Sequence, residues 1–324
     1  MIPRLSIVLL GVVASFAAQV AGAQSPFVLD PAKLRLASLN AVVIDASANR
    51  SVFAKGADDV TPIASLTKLM TAIVTLDSGL PLDEPIAIDT DDFDYLKGTS
   101  SRLRMGALLS RAEMLRLALM ASENRAASSL ARNYPGGTTA FVAAMNEKAR
   151  ALGMTRTRYA DPTGLSAQNV STANDLATLV ATAAQYPEIR DYSTTASHYV
   201  EVQPTGQLLG FNNTNGLVKN SGWNIHLSKT GYIREAGKCL VMLATIASKP
   251  FVIVLLDSAG KYTRLGDAQR VRQWLETGEV VAITGSAKTT SKSAKAKTVA
   301  YIAPARAKGT VRVKGVLHAR SAGV

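Results

Sequence analysis

The chain has one cysteine in 324 residues, which excludes an internal disulfide. That cysteine, Cys239, stands in the apolar, strand-like run Lys238-Cys-Leu-Val-Met-Leu243. It reads as a buried structural thiol and not as a nucleophile. Long apolar runs are scarce as well. Past the first two dozen residues, no stretch approaches the ~20 apolar residues that a membrane-spanning helix needs. Acid is missing from one end of the chain. From Val280 onward there is no Asp or Glu, while Lys288, Lys292, Lys295, Lys297, Arg306, Lys308, Arg312, Lys314 and Arg320 carry positive charge. Most of the formal net charge of +12 therefore lies in this segment. It is rich in Ala, Ser, Thr and Gly and has too few large apolar side chains to offset chain entropy. Residues 285–324 are expected to form a disordered basic tail with an affinity for anionic surfaces. No interleaving of aromatic and basic residues points to nucleic acid.

The first residues supply what the rest lacks. Arg4 precedes an apolar run from Leu5 to Ala18, and Ala21-Gly-Ala23 offers a small-x-small cleavage site. Residues 1–23 read as a secretory signal peptide, too short for a comfortable membrane span. The mature chain is expected to begin near Gln24 and to work outside the cytoplasm. It can bury a large core without a disulfide.

Ala41-Val-Val-Ile-Asp-Ala46 and Ser51-Val-Phe-Ala-Lys55 flank Ser47-Ala-Asn-Arg50 and read as a β-hairpin. Residues 64–78 have apolar side chains at helical spacing, and Gly79 stops them. Residues from about 80 to 190 are mostly helical. Ser110-Arg-Ala-Glu113 predicts a capping box before one helix. A break at Ser122-Glu-Asn124 separates it from a second helix, which ends at Pro135-Gly-Gly137. Further helices are predicted over 139–152 and 174–186, with a turn at Asp161-Pro-Thr-Gly164 between them. Strands are predicted over 225–230, 239–247 and 251–257, and a final helix over 264–277. The order predicts an α+β fold. One antiparallel sheet joins the first hairpin to the late strands and is flanked by helices. A helical subdomain is inserted at about 80–190, within a domain spanning 24–284.

Three short motifs carry chemistry: Ser65-Leu-Thr-Lys68, Ser122-Glu-Asn124 and Lys229-Thr-Gly231. Each recurs by chance, since Ser258-Ala-Gly-Lys261, Ser38-Leu-Asn40 and Ser47-Ala-Asn49 fit the same patterns. Order and context single out the first set. Its members open a helix, break two helices and end a strand. A serine hydroxyl is a poor nucleophile without a nearby base. Ser65 and Lys68 are three residues apart on a helix and share a face. Lysine becomes a base when burial or a second cation lowers its pKa, and Lys229 is a candidate for that cation. The helix N-terminus favours a developing oxyanion. Ser122 and Asn124 either cap the following helix or relay a proton and hold a substrate amide. Lys229 and Thr230 offer a cation and a hydroxyl to a carboxylate, and Gly231 allows close approach to the strand. Nothing in this set calls for a cofactor or a metal.

The three motifs together resemble those of penicillin-binding proteins and serine β-lactamases. Ala64-Ser-Leu-Thr-Lys-Leu-Met-Thr-Ala72, Leu119-Met-Ala-Ser-Glu-Asn-Arg-Ala-Ala127, Tyr134-Pro-Gly-Gly137, Pro162-Thr-Gly-Leu-Ser166 and Lys229-Thr-Gly-Tyr232 narrow the likeness. They resemble the low-molecular-mass D-alanyl-D-alanine peptidases, the endopeptidases above all, over roughly residues 27–283. The resemblance implies a DD-peptidase fold and a periplasmic enzyme cutting D-alanyl bonds of peptidoglycan, with β-lactams as covalent inhibitors. Ser65 would form the acyl-enzyme, Lys68 would be its base, and Ser122 would assist proton transfer. Asn124 would hold a substrate amide, Lys229 and Thr230 the substrate carboxylate, and the N–H groups of Ser65 and Tyr232 the oxyanion. A carboxypeptidase acting on terminal D-alanine is the nearest alternative. A non-catalytic penicillin-sensing or wall-binding module fits the complete catalytic set less well. A class A β-lactamase needs a deacylating Glu-x-x-Leu-Asn loop between the second and third motifs, and the sequence has none there. The tail would associate loosely with wall polymer or a membrane surface.

Overall fold

A computed structural model describes residues 29–280. The expected leader and the basic tail lie outside the described residues. The first hairpin is β1 (Asn40–Asp45) and β2 (Arg50–Lys55). Asp45 tightens its turn, accepting hydrogen bonds from the backbone N–H groups of Ser47 and Ala48. β3 (Thr61–Pro62) leads through one 3-10 turn, Ala64–Thr67, into α1 (Lys68–Asp77). The middle of the chain holds β4 (Pro85–Ala87), β5 (Leu108–Ser110), α2 (Arg111–Met120), α3 (Asn124–Arg132), α4 (Gly137–Ala151), β6 (Val170–Ser171), α5 (Ala173–Ala183) and α6 (Pro187–Thr194). β7 (Ser197–Val202) and β8 (Gln207–Asn212) follow, then β9 (Asn224–Ile233), β10 (Gly237–Ile246), β11 (Lys249–Ser258) and α7 (Thr263–Thr277).

Five strands form one antiparallel sheet in the order β2-β1-β11-β10-β9. The early hairpin and the late strands therefore share a sheet, and the fold is α+β. Register places Val42 opposite Val254 and Val254 opposite Val241. These valines lie in a core with Leu69, Met70 and Ile73 of α1 and Leu176 and Val180 of α5. The alternate residues Val43, Ile253, Leu255 and Met242 lie in a second core with Ala268, Val271 and Trp274 of α7. Both faces are covered, so β10 and β11 read as continuous apolar runs. Each large side chain buried this way contributes about 1.5–3 kcal/mol. Cys239 is buried in β10, and burial pushes its thiol pKa up to about 12. It is inert packing material, as its surroundings in the sequence predict.

Four local expectations are revised. The helix predicted from residue 64 begins as a 3-10 turn and becomes α-helical at Lys68. The predicted capping box is half made. Ser110 caps the N–H of Glu113 at 3.2 Å, but the Glu113 carboxylate turns to His198 Nε2 at 2.7 Å. Pro187 follows the helix predicted over 174–186 and opens another. It occupies the first turn of α6, where its fixed φ and missing N–H cost nothing. The β7–β8 hairpin lies between the helix predicted over 174–186 and the strand predicted over 225–230, where no strand is predicted, and buries Val200, Val202 and Phe211 on one face.

Candidate active site

Ser65 sits in the 3-10 turn at the mouth of α1. The turn is strained at Ala64, a non-glycine residue in the left-handed region at φ +49°. It is held by Thr67, whose hydroxyl donates to the Ala64 carbonyl at 2.8 Å. One helical step further, Lys68 is fully buried. Its Nζ lies 3.1 Å from Ser65 Oγ, 2.7 Å from Asn124 Oδ1 and 2.6 Å from the Thr163 carbonyl. Burial brings the Lys68 pKa down from 10.5 to about 8, although the Asp161, Glu123 and Asp94 carboxylates favour the charged form. The geometry has a chemical consequence. In the neutral amine, the two carbonyl oxygens take the two N–H bonds, and the lone pair is left facing the Ser65 hydroxyl.

The break between α2 and α3 supplies the second wall. Ser122 is in the left-handed region at φ +59°. Its Oγ accepts a hydrogen bond from Lys229 Nζ at 2.9 Å. The N-cap of α3 is Glu123, which makes no side-chain cap bond. Neither Ser122 nor Asn124 therefore serves as the helix cap. Asn124 uses both ends of its amide: Oδ1 meets Lys68, and Nδ2 donates to Thr99 Oγ1 at 2.9 Å. Lys229, on β9, is buried, and its Nζ also reaches the Thr230 carbonyl at 3.0 Å. Burial first, and then the Lys68 and Arg264 charges, hold its pKa well below the ordinary lysine value. Thr230 donates its hydroxyl to Thr214 at 2.7 Å.

β9 is an edge strand, and its free flank faces the serine turn. A Cβ built on Gly231 would stand 3.0 Å from the Ile63 carbonyl and 3.1 Å from Ser65 N. The glycine thus leaves room for the serine backbone to approach the strand. Tyr232 is more than half exposed beside it, with Lys238 Nζ 3.6 Å above its ring. All eight residues singled out in the three motifs and at Tyr232 are gathered around this cleft. Ser258, Ser38 and Ser47 take no part in its hydrogen bonds. Among the described residues no cluster of His, Cys, Asp and Glu is arranged to hold a metal.

Sequence reasoning missed three supports. Arg264, in the first turn of α7, donates to the Gly231 carbonyl at 3.0 Å and places a third cation behind Lys229. The 161–169 loop, read as a turn and as part of the resemblance but given no role, is built into the site. Asp161 Oδ1 accepts from Thr163 N and Gly164 N, and buried Asn169 donates to Thr67 Oγ1 at 3.0 Å. The 94–99 loop brings Thr99 to Asn124. The local signals are Asx-type residues at tight spacing, Asp161-Pro-Thr-Gly and Asp94, and for the first loop the Pro162-Thr-Gly-Leu-Ser166 segment that carries the family resemblance without assigning it a role in the site.

The family model described as D-alanyl-D-alanine carboxypeptidase matches residues 27–260. The chain is 51% identical over 284 residues to a D-alanyl-D-alanine endopeptidase of Pseudomonas aeruginosa, covering 88% of this chain and 92% of that one. It is 48% identical over 252 residues to the D-alanyl-D-alanine endopeptidase of Escherichia coli, covering 78% and 81%. Among solved structures, the Streptomyces K15 DD-transpeptidase superposes with a TM-score of 0.70 at 28% identity, over 75% of this chain and 98% of that one. Penicillin-binding protein D2 of Listeria monocytogenes, in its ampicillin-bound form, superposes with a TM-score of 0.63 at 27% identity, over 76% and 98%. With a matched family model over most of its length and relatives this similar, the chain belongs to the D-alanyl-D-alanine carboxypeptidase family of serine peptidases.

Proposed function

We propose that the chain is a serine DD-peptidase that hydrolyses D-alanyl bonds of peptidoglycan, cross-links before terminal D-alanine, through an acyl-enzyme on Ser65. One observation carries the reading: a buried lysine of lowered pKa, pinned by two carbonyl oxygens, with its remaining valence on Ser65 Oγ.

In this mechanism neutral Lys68 takes the Ser65 proton as Oγ attacks the D-alanyl carbonyl carbon. The oxyanion is received by the N–H groups of Ser65 and Tyr232. The C–N bond breaks, and the proton held by Lys68 passes to the leaving amine with Ser122 assisting. Water then attacks the ester and releases Ser65. Asn124 holds a substrate amide, and Lys229 and Thr230 hold the carboxylate of the D-centre beyond the scissile bond. β-Lactams acylate the same serine. The chain has no Glu-x-x-Leu-Asn loop, so that adduct turns over slowly. Residues 1–23 direct export to the periplasm, and the basic tail adds affinity for anionic wall or membrane.

Both cross-links and terminal D-alanine present the same local bond. The preference for cross-links rests on the endopeptidase relatives. Purified protein incubated with cross-linked dimers and with monomeric pentapeptides tests it. The expected result is a clearly higher kcat/KM on dimers. Faster pentapeptide trimming with dimers persisting makes the enzyme a carboxypeptidase. Penicillin labelling without turnover of either peptide makes it a sensing module.

A further inference from the structure

A line of hydrogen bonds runs from the Ser65–Lys68 pair out to a carboxylate that the mechanism above does not use. Lys68 Nζ donates to Asn124 Oδ1 at 2.7 Å. Asn124 Nδ2 donates to Thr99 Oγ1 at 2.9 Å. Thr99 Oγ1 donates in turn to Asp94 Oδ2 at 2.7 Å. Asp94 opens the 94–99 loop, between β4 and β5, and its carboxylate organises that loop. Oδ1 accepts from Leu96 N at 2.9 Å and Lys97 N at 2.8 Å, and Oδ2 accepts from Thr99 N at 2.9 Å. Gly98, in the left-handed region at φ +65°, turns the chain so that the N–H and the hydroxyl of Thr99 meet the same oxygen. Burial opposes the charge on Asp94. The N–H groups of Lys97 and Thr99 and the Thr99 hydroxyl outweigh it and hold the carboxyl below its usual range.

The chemistry of Asp94 sets the direction of the whole line. An ionised carboxylate only accepts hydrogen bonds, and a threonine hydroxyl has a single proton to give. Asp94 takes that proton, so Thr99 offers Asn124 only lone pairs. The Asn124 amide must then turn its NH2 to Thr99 and its carbonyl to Lys68. The carbonyl takes one lysine N–H, which helps leave the lone pair of the neutral amine on Ser65 Oγ, 3.1 Å away. The reverse orientation would aim an amide N–H at Lys68 Nζ and occupy that lone pair. In the orientation observed, Asn124 keeps one N–H and one carbonyl lone pair for a substrate amide.

We propose that Asp94 and Thr99 are positioning residues for acylation, which lock the Asn124 amide in the one orientation that leaves Lys68 free to take the Ser65 proton. The proposal rests on the DD-peptidase reading above and adds to it two residues from outside the three motifs.

Three variants test this: Thr99→Val, Thr99→Ser and Asp94→Asn. Thr99→Val removes the hydroxyl but keeps the backbone bond to Asp94. It also keeps every charge that acts on Lys68, namely Asp161, Glu123, Asp94 and Lys229. Asp94→Asn places an NH2 against donors on one side of the carboxyl or the other and breaks the line at its far end. The readouts are the noncovalent binding constant for penicillin and, separately, the rate constant of Ser65 acylation as pH rises through about 8. Thr99→Val should lower the alkaline plateau roughly threefold to tenfold, the scale of one hydrogen bond that holds an orientation, with binding unchanged. Its pH midpoint should move down, because an amide N–H aimed at Lys68 favours the neutral amine. Thr99→Ser should match the unsubstituted protein, and Asp94→Asn should lose at least as much as Thr99→Val. Should Asp94→Asn unfold, the two Thr99 variants decide the question alone. An unchanged plateau and midpoint in Thr99→Val overturns the proposal. Weakened binding with an unchanged rate constant also overturns it, since the loop then only borders the cleft, and so does a Thr99→Ser as slow as Thr99→Val. If the unsubstituted protein forms no adduct and cleaves no D-alanyl peptide, the peptidase reading itself fails.

Discussion

Gly164 is packed so closely on Ala64 that a Cβ built on the glycine would stand 2.1 Å from the Ala64 carbonyl oxygen. The same Cβ would be 2.8 Å from Ser65 N, and Gly164 is in the left-handed region at φ +83°. Backbone strain of that kind costs about 1–3 kcal/mol by itself, and the clash adds to it. Gly164→Ala should lower the stability of unfolding by more than ~2 kcal/mol and slow acylation of Ser65 by penicillin. Gly231→Ala, with its nearest neighbour at 3.0 Å, should do less of both. Chemical unfolding midpoints and labelling rates for the two variants check the order.

Asp267 gives a contrasting case. Its buried carboxylate accepts from Ala37 N at 3.0 Å and from Ser38 N and Ser38 Oγ at 2.7 and 2.6 Å, and it pairs with Arg270. These bonds tie α7 to the segment before β1 and involve no residue of the serine cluster. Asp267→Ala strands buried donors and a cation, which costs about 3–5 kcal/mol. The variant should melt far earlier, yet label normally with penicillin well below its melting point. Loss of labelling in a folded variant would refute this separation of roles.

The two cases mark what could be read from sequence. The first hairpin, the three late strands, α7 and the motif residues follow from apolar periodicity and from the order Ser65, Ser122, Lys229, because each signal is local; the strand order itself comes from the structure. Gly164, Asn169, Thr99 and Arg264 reach the site from segments 25 to 102 residues away from their partners. Their roles depend on packing, and no spacing rule encodes them. The β7–β8 hairpin and α6 were missed for a related reason. Their alternation and their starting proline are brief, and the buried contacts of Ile189, Val200 and Phe211 with the main core decide them.

The charge of the C-terminal segment leads to a prediction about binding and not about catalysis. Nine cations without an acid favour polyanions by attraction that salt screens. Ending the chain after residue 285 should leave hydrolysis of small D-alanyl peptides intact. It should weaken adsorption to isolated sacculi at low ionic strength, with the difference closing as salt rises. Equal binding of the two forms at low salt rules out this role for the tail.

The final prediction concerns Lys68, where one proton links catalysis to stability. If neutral Lys68 is the base, acylation should rise with pH through about 8, the value to which burial brings this lysine. Arginine keeps the charge and gives up no proton at ordinary pH. Lys68→Arg should therefore be nearly as inactive as Lys68→Ala, down by roughly 10²–10⁴, the usual contribution of a positioned base. Substantial activity in Lys68→Arg would mean the residue only stabilises charge. The same shift acts on folding. An unfolded chain holds the lysine proton up to about 10.5 and the folded site only to about 8. Between those values the unfolded state binds more protons, so this lysine makes stability rise with pH across the window. Below it, burying the ammonium costs stability. Lys68→Met carries no such charge. Its stability relative to the unsubstituted protein should be most favourable near neutral pH and should decline as pH climbs from 8 to 10.5. Parallel unfolding curves for the two proteins across that range test this, and a pH-independent difference would show that the site does not depress the lysine at all.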